Sequence, residues 1–180
     1  MADNKHIKSK LLLRRYFLDK YGGGTVIDAC AGSSVIWSKL RKEYDVNYWA
    51  IDVKKKKGRH TVDSARILAL PDTVCNVLDI DTYGSPWEHL LAYVDHATSP
   101  FTCFLTVGSK AYAKQQITAM RYAGLPPKTP PGFQMGLADL ITDSCITLAN
   151  HDDITPVEII EAFPQTNARY IGVRYEVTTQ

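Results

Sequence analysis

Val26-Ile27-Asp28-Ala29-Cys30-Ala31-Gly32-Ser33-Ser34 is the stretch that decides the fold. Its first part is a short β-branched, apolar run closing on an acid, the pattern of a buried strand. Its second part is a turn of small residues, over which a ligand can approach the backbone closely. From Val35 to Tyr44, Ile36 and Leu40 are set against Lys39, Arg41 and Lys42, the spacing of a helix. A strand, a small-residue turn and a helix in that order open a parallel α/β sheet.

The same alternation continues outward. Upstream, Ile7, Leu11, Leu12, Phe17 and Leu18 predict a helix over 6–21, stopped by Gly22-Gly23-Gly24. Downstream, Asn47 to Asp52 reads as a second strand ending in an acid, followed by a basic loop from Lys54 to His60 and a short helix near Ala65 to Leu70. Val74 to Asp81 is a third strand. Ser85 can cap a helix from Pro86 to His96, with proline at its first position and Glu88 three residues past the cap. Phe101 to Val107 is a fourth strand, and 110–122 and 134–149 read as helices around a proline-rich loop at 124–132. Val157 to Phe163 has two readings. Thr155 and Glu158 would make a capping box for a short helix, or the run pairs with the alternating Arg169 to Val177 as a hairpin, the reading we favour. The fold class expected is a doubly wound, mostly parallel sheet with helices on both faces, closed by a C-terminal antiparallel hairpin, in one domain over 1–180.

In such sheets the ligand sits outside the carboxyl ends of the strands, and three strand ends here carry acids. Asp28 stands at the first, Asp52 at the second, 20 residues beyond Gly32, and Asp79 and Asp81 at the third. A dinucleotide site wants G-x-G-x-x-G and a pyrophosphate at the helix start. This turn has one glycine and an acid at its mouth, which repels a pyrophosphate and attracts a cation. G-x-x-x-x-G-K-S/T is absent, and no cysteine or histidine pattern suits a metal.

V-I-D-A-C-A-G, the acid at Asp52 and D-I-D-T-Y-G-S-P at 79–86 resemble the ordered motifs of class I S-adenosylmethionine-dependent methyltransferases. The resemblance implies that Asp28, Cys30 and Gly32 lie around the methionine part of the cofactor, that Asp52 binds the ribose, and that Asp63 contacts the adenine amino group. The usual second glycine of the first motif is replaced by Ser33-Ser34. D-I-D-T-Y-G-S-P is similar to the D-x-D-P-F/Y-G-S-P motif of tRNA guanine-N2 dimethyltransferases, with Thr82 at the first proline. It is more loosely similar to the D/N-P-P-Y/F motif of amino-methylating nucleic-acid enzymes.

The chemistry this implies is methyl transfer to an exocyclic amine, a poor nucleophile because its lone pair is delocalised into the ring. A carboxylate accepting its N–H bonds returns density to nitrogen. Asp81 fills that role, or Asp79 if the strand ends earlier. Tyr83 can stack on the base and hold it in line. Pro86 and Trp87 are expected at the substrate, and Lys55, Lys56 and Lys57 at phosphates, since Lys54 to Arg59 packs five cations into six residues. The partner expected is therefore RNA or DNA, with self-association or a specificity partner supplying target recognition. A small-molecule or protein N-methyltransferase and a non-catalytic binding module are the rivals.

Bulk properties restrain rather than direct this reading. Apolar residues make up 45% and charged residues 22%, values of an ordinary globular chain. With 21 basic against 19 acidic residues, any nucleic-acid surface has to be local. No apolar run approaches a membrane span, and Leu11-Leu12-Leu13 is cut short by Arg14-Arg15, so a cytoplasmic location is expected. Cys30, Cys75, Cys103 and Cys145 read as free thiols, with Cys30 placed at the end of the ligand-binding strand.

Overall fold

The computed structural model describes residues 6–54, 58, 60–82, 85–108, 117–125, 134–162 and 168–178, by backbone alone at 117–118 and 134–138. The chain runs α1 (Ile7–Tyr21), β1 (Gly24–Asp28), α2 (Val35–Leu40), β2 (Val46–Asp52), β3 (His60–Thr61), α3 (Ser64–Leu68) and β4 (Val77–Ile80). It continues through α4 (Trp87–Val94), β5 (Phe101–Gly108), α5 (Ile117–Tyr122), α6 (Gln134–Thr147), β6 (Ile154–Ala162) and β7 (Ala168–Val177). All seven strands form one sheet, ordered β3-β2-β1-β4-β5-β7-β6. The first five are mutually parallel, and β7 is antiparallel to both β5 and β6. This is the expected doubly wound sheet with its closing hairpin. The chain leaves β1 toward β2 on one side and returns to β4 on the other, so the crevice opens between the carboxyl ends of β1 and β4.

Alternation along the strands builds a core on each face. Val26, Val77, Phe104 and Tyr170 pack against Leu13 and Phe17 of α1 and Trp37 and Leu40 of α2. Ile27, Leu78, Ile80, Cys103, Leu105, Ile171 and Val173 pack against Trp87, Leu90 and Leu91 of α4 and Ile141 and Cys145 of α6. Fully burying a side chain such as Phe17 stabilises by ~1.5–3 kcal/mol relative to leaving it exposed. Helix α1 lies close on β7 because position 172 is glycine. A Cβ there would meet Phe17 Cε2 at 2.5 Å and Leu13 Cδ1 at 3.2 Å. That seating matters for the site, because α1 delivers two cations to the strand ends.

Two strands differ from the sequence reading. Strand β4 starts at Val77, not Val74; Cys75 just before it is tied elsewhere, its N–H donating to Tyr93 Oη and its carbonyl accepting from the same hydroxyl. The two-residue β3 was not foreseen, being too short to show a hydrophobic period. Residues 154–162 form a strand paired with β7, the hairpin reading favoured from the sequence over the capped helix. Glu158 caps nothing and instead accepts from Tyr16, Lys20 and Tyr21 of α1. Cys75, Cys103 and Cys145 are buried free thiols and Cys30 is partly buried. Among the described residues no helix is long and apolar enough to cross a membrane.

Candidate active site at the strand ends

Asp28 and Asp79 are register partners on β1 and β4, both on the α1–α2 face. Asp79 is 2% exposed. Its Oδ2 accepts from Arg14 Nε at 2.7 Å and Trp37 Nε1 at 2.6 Å, and its Oδ1 accepts from Arg14 Nη2 at 2.6 Å. Two buried charges thus meet in a bidentate pair, the geometry that best offsets their desolvation. Asp28 is buried beside them and accepts from Tyr48 Oη at 2.6 Å. Burial first, and the Asp79 charge second, hold its carboxyl well above the ordinary range, against the lowering effect of the Tyr48 hydrogen bond.

Two residues further along, where β4 has ended, Asp81 is placed differently. Its side chain is 32% exposed, and the Lys10 ammonium donates to both its oxygens, at 2.9 and 2.7 Å. Lys10 is itself buried and also sits 4.6 Å from the centroid of the Tyr170 ring. A carboxylate has about four lone-pair sites, so one ammonium does not saturate it. Beyond Asp81, the segment into α4 carries three buried polar atoms with no partner among the described residues: Thr82 Oγ1, Trp87 Nε1 and His89 Nδ1.

The second strand end closes on the first. Asp52 accepts from the Gly32 N–H at 2.9 Å and from the Lys54 N–H at 2.8 Å. The turn itself is tight: Gly32 has φ 48° and Ser34 φ 53°. Ser34 thus takes a left-handed conformation that glycine adopts without cost and other residues adopt at roughly 1–3 kcal/mol. Its hydroxyl donates to the Ala31 carbonyl at 3.2 Å, a local bond of the kind that helps serine hold such a turn. Val53, next to Asp52, is exposed. Asp63 caps α3 by accepting from the Ala65 N–H at 3.1 Å. Cys30 lies within 3.8 Å of Ser64 Oγ and 3.7 Å of His89 Nε2. Burial pushes its thiol up to about 12, so it is no nucleophile at neutral pH.

The structure thus gathers Asp28, Cys30, Gly32, Asp52 and Asp81 at the carboxyl ends of β1, β2 and β4. Two expectations need correction, and a third falls outside the described residues. Asp79 is buried in its pair with Arg14 and Trp37, which closes its carboxylate to a substrate amine. Pro86 and Trp87 are buried, with Trp87 in the core under α4, so they support the loop instead of facing solvent. Tyr83, Lys55, Lys56 and Lys57 lie outside the described residues. The reading of the sequence missed Lys10 and Arg14. A signal was present: both fall on the same helical stripe as Phe17, and cations on a core-facing stripe call for buried acids.

No protein-family model matches the sequence, and no curated protein is similar to it in sequence. Solved structures match the fold. Trm1 from Pyrococcus horikoshii, in complex with S-adenosyl-L-methionine, superposes with a TM-score of 0.63 at 15% identity, over 96% of this chain and 55% of Trm1. This chain therefore spans about half the length of that protein. The 1,6-didemethyltoxoflavin-N1-methyltransferase of Burkholderia thailandensis, with 1,6-didemethyltoxoflavin and S-adenosylhomocysteine bound, matches at 0.53 and 12% identity, over 97% of this chain and 80% of that one. The plantazolicin methyltransferase BpumL, in complex with a triazolic desmethylPZN analogue and SAH, matches at 0.52 and 10%, over 95% and 84%. The fold is that of the Rossmann-like methyltransferases.

Proposed function

We propose that the chain is an S-adenosylmethionine-dependent methyltransferase acting on an exocyclic amino group in a nucleic acid. The observation that carries the reading is the contrast between two acids of one motif. Asp79 is sealed by Arg14, whereas Asp81 is held by Lys10 with a third of its side chain still open.

The residues fit the cofactor. Asp28 is a buried carboxyl lacking a full cationic partner, which suits the ammonium or sulfonium of the methionine part. Asp52, at the mouth of the second strand, suits ribose hydroxyls, with Val53 exposed beside it for an apolar ring face. Asp63, with its side chain half exposed, would contact the adenine amino group. When bound, S-adenosylmethionine supplies an electrophilic methyl group.

The chain's own groups do the rest. Asp81 accepts N–H bonds from the substrate amine, raising density on its nitrogen, and after transfer is placed to take the proton released. Lys10 fixes the carboxylate and leaves its solvent-side lone pairs to the amine. The β4–α4 segment, seated by Pro86 and Trp87, holds the base while Tyr83 stacks on it. The nucleic-acid substrate rests on the D-I-D-T-Y-G-S-P resemblance and the basic connector after β2. A small heterocyclic amine is the second reading, favoured by the larger share of the toxoflavin enzyme that this chain spans.

Calorimetry with S-adenosylmethionine, followed by labelled-methyl transfer to tRNA, DNA and small amines, tests both readings. Cofactor binding with transfer to RNA or DNA supports the first. Transfer only to small amines supports the second, and absence of cofactor binding overturns both.

A further inference from the structure

The outer end of the sheet carries an aromatic surface that the methyl-transfer site does not use. The chain has three tryptophans; Trp37 and Trp87 are each 1% exposed, but Trp49 is 48% exposed. Trp49 sits on β2, on the same face as Ile51, which pairs with His60 of β3. The Trp49 and His60 rings lie 5.6 Å apart with their planes at 31°, and the indole Nε1 donates to Asn47 Oδ1 at 3.3 Å, which fixes the ring. Both His60 and Thr61 are exposed. Because β3 pairs only with Ile51 and Asp52, β2 has no described outer partner from Val46 to Ala50. The connector between the two aromatic positions begins at exposed Lys54, and its sequence to Arg59 holds five cations.

An exposed indole followed in sequence by the five cations of Lys54 to Arg59 is a combination suited to single-stranded nucleic acid. Bases stack on the ring without regard to sequence, and cations meet the phosphates. The described groups around Trp49 are His60, Lys54, Asp52 and the exposed Val53, and we commit to a nucleic acid because the connector that follows is basic. We propose that Trp49 and His60 form a stacking platform for an unpaired base of the substrate strand, outside the methyl-transfer site. The proposal rests on the nucleic-acid reading above. By strand rise and spacing, the Trp49 backbone lies about 14 Å from that of Asp81. Trp49 leaves the sheet on the α4 face and Asp79 on the α1–α2 face, so a strand reaching both sites would pass around the β2–β3 edge, and the platform would confer a preference for unpaired substrate.

The fold also supplies the readout, since Trp49 alone among the three indoles is open to quenching by a stacked base. Titration of the full chain with 12-nucleotide single-stranded RNA and DNA of mixed sequence should quench its fluorescence. Trp49→Ala should weaken binding roughly tenfold or more with an unchanged salt slope, since stacking is not electrostatic. Trp49→Phe should stay within about threefold of the wild type, because a phenyl ring still stacks. Lys54→Ser should flatten the salt slope and leave the quenching amplitude intact. Wild-type affinity in Trp49→Ala, with RNA or DNA still methylated, overturns the platform and spares the proposed function. Failure of the wild type to bind either strand, with small amines methylated, overturns the nucleic-acid substrate and the platform together.

Discussion

The Lys10 ammonium lies 2.7 Å from an Asp81 carboxylate oxygen, although 71 residues separate the two. One residue is on the first helix and the other follows the fourth strand, and the packing of α1 against β7 brings them together. We therefore expect Lys10→Met to lower methyl transfer by roughly tenfold or more while cofactor affinity stays within about twofold, because positioning acts on the reacting geometry and not on cofactor binding. Asp81→Asn should lose transfer more completely. Single-turnover rates set beside calorimetric affinities make the comparison, and an unchanged rate in both variants would move the amine-binding role away from Asp81.

The second cation of α1 has a different task. Arg14 and Asp79 form a buried pair, and removing one partner strands the other's charge in the core. Asp79→Asn should cost about 3–5 kcal/mol in urea unfolding, whereas replacing both by apolar residues should recover most of that loss. An unaltered unfolding midpoint in the single variant would mean that the pair does not hold α1 to the sheet.

Asp28 gives the protein a pH dependence whose sign can be worked out. Its carboxyl is raised above the unfolded value, so the folded state holds the proton more tightly. The stability it contributes is complete below the ordinary carboxylate range and is lost as pH rises through the folded value. A cationic ligand against the carboxylate favours the ionised form. Cofactor affinity should therefore climb with pH across that window, with a proton released on binding, and Asp28→Asn should flatten the climb. Calorimetry in buffers of different ionisation enthalpy counts the proton, and a count of zero in the wild type would separate Asp28 from the cofactor's positive charge.

Asp52 joins the first two strand ends through the Gly32 N–H. Asp52→Ala should weaken S-adenosylmethionine binding by about 1–3 kcal/mol, the loss expected for hydrogen bonds to a charged group. Lys54 reaches Asp52 only through its backbone N–H, so Lys54→Ser should leave cofactor affinity unchanged. If both substitutions act alike on the cofactor, the carboxylate is not its ribose contact.

Much of this protein was legible in the chain itself. Periodicity is a local property, so strands such as Val26 to Asp28, the helix from Ile7 to Tyr21 and the closing hairpin could be read from spacing alone. The acids at the strand ends followed from the parallel order that this alternation implies. What spacing cannot carry is which buried groups meet across the fold. Asp79 and Asp81 differ by two positions and look equivalent in D-I-D-T-Y-G-S-P. Strand pleat alone does not separate them, since positions two apart fall on the same face. The strand ends at Ile80, which buries Asp79 within the ladder and leaves Asp81 at the opening. Arg14 then seals the first and Lys10 steers the second, because the helix that carries both is held against β7 where only a glycine leaves room. Local pattern thus fixed the elements and their order, and long-range packing divided the two acids between stability and the proposed chemistry.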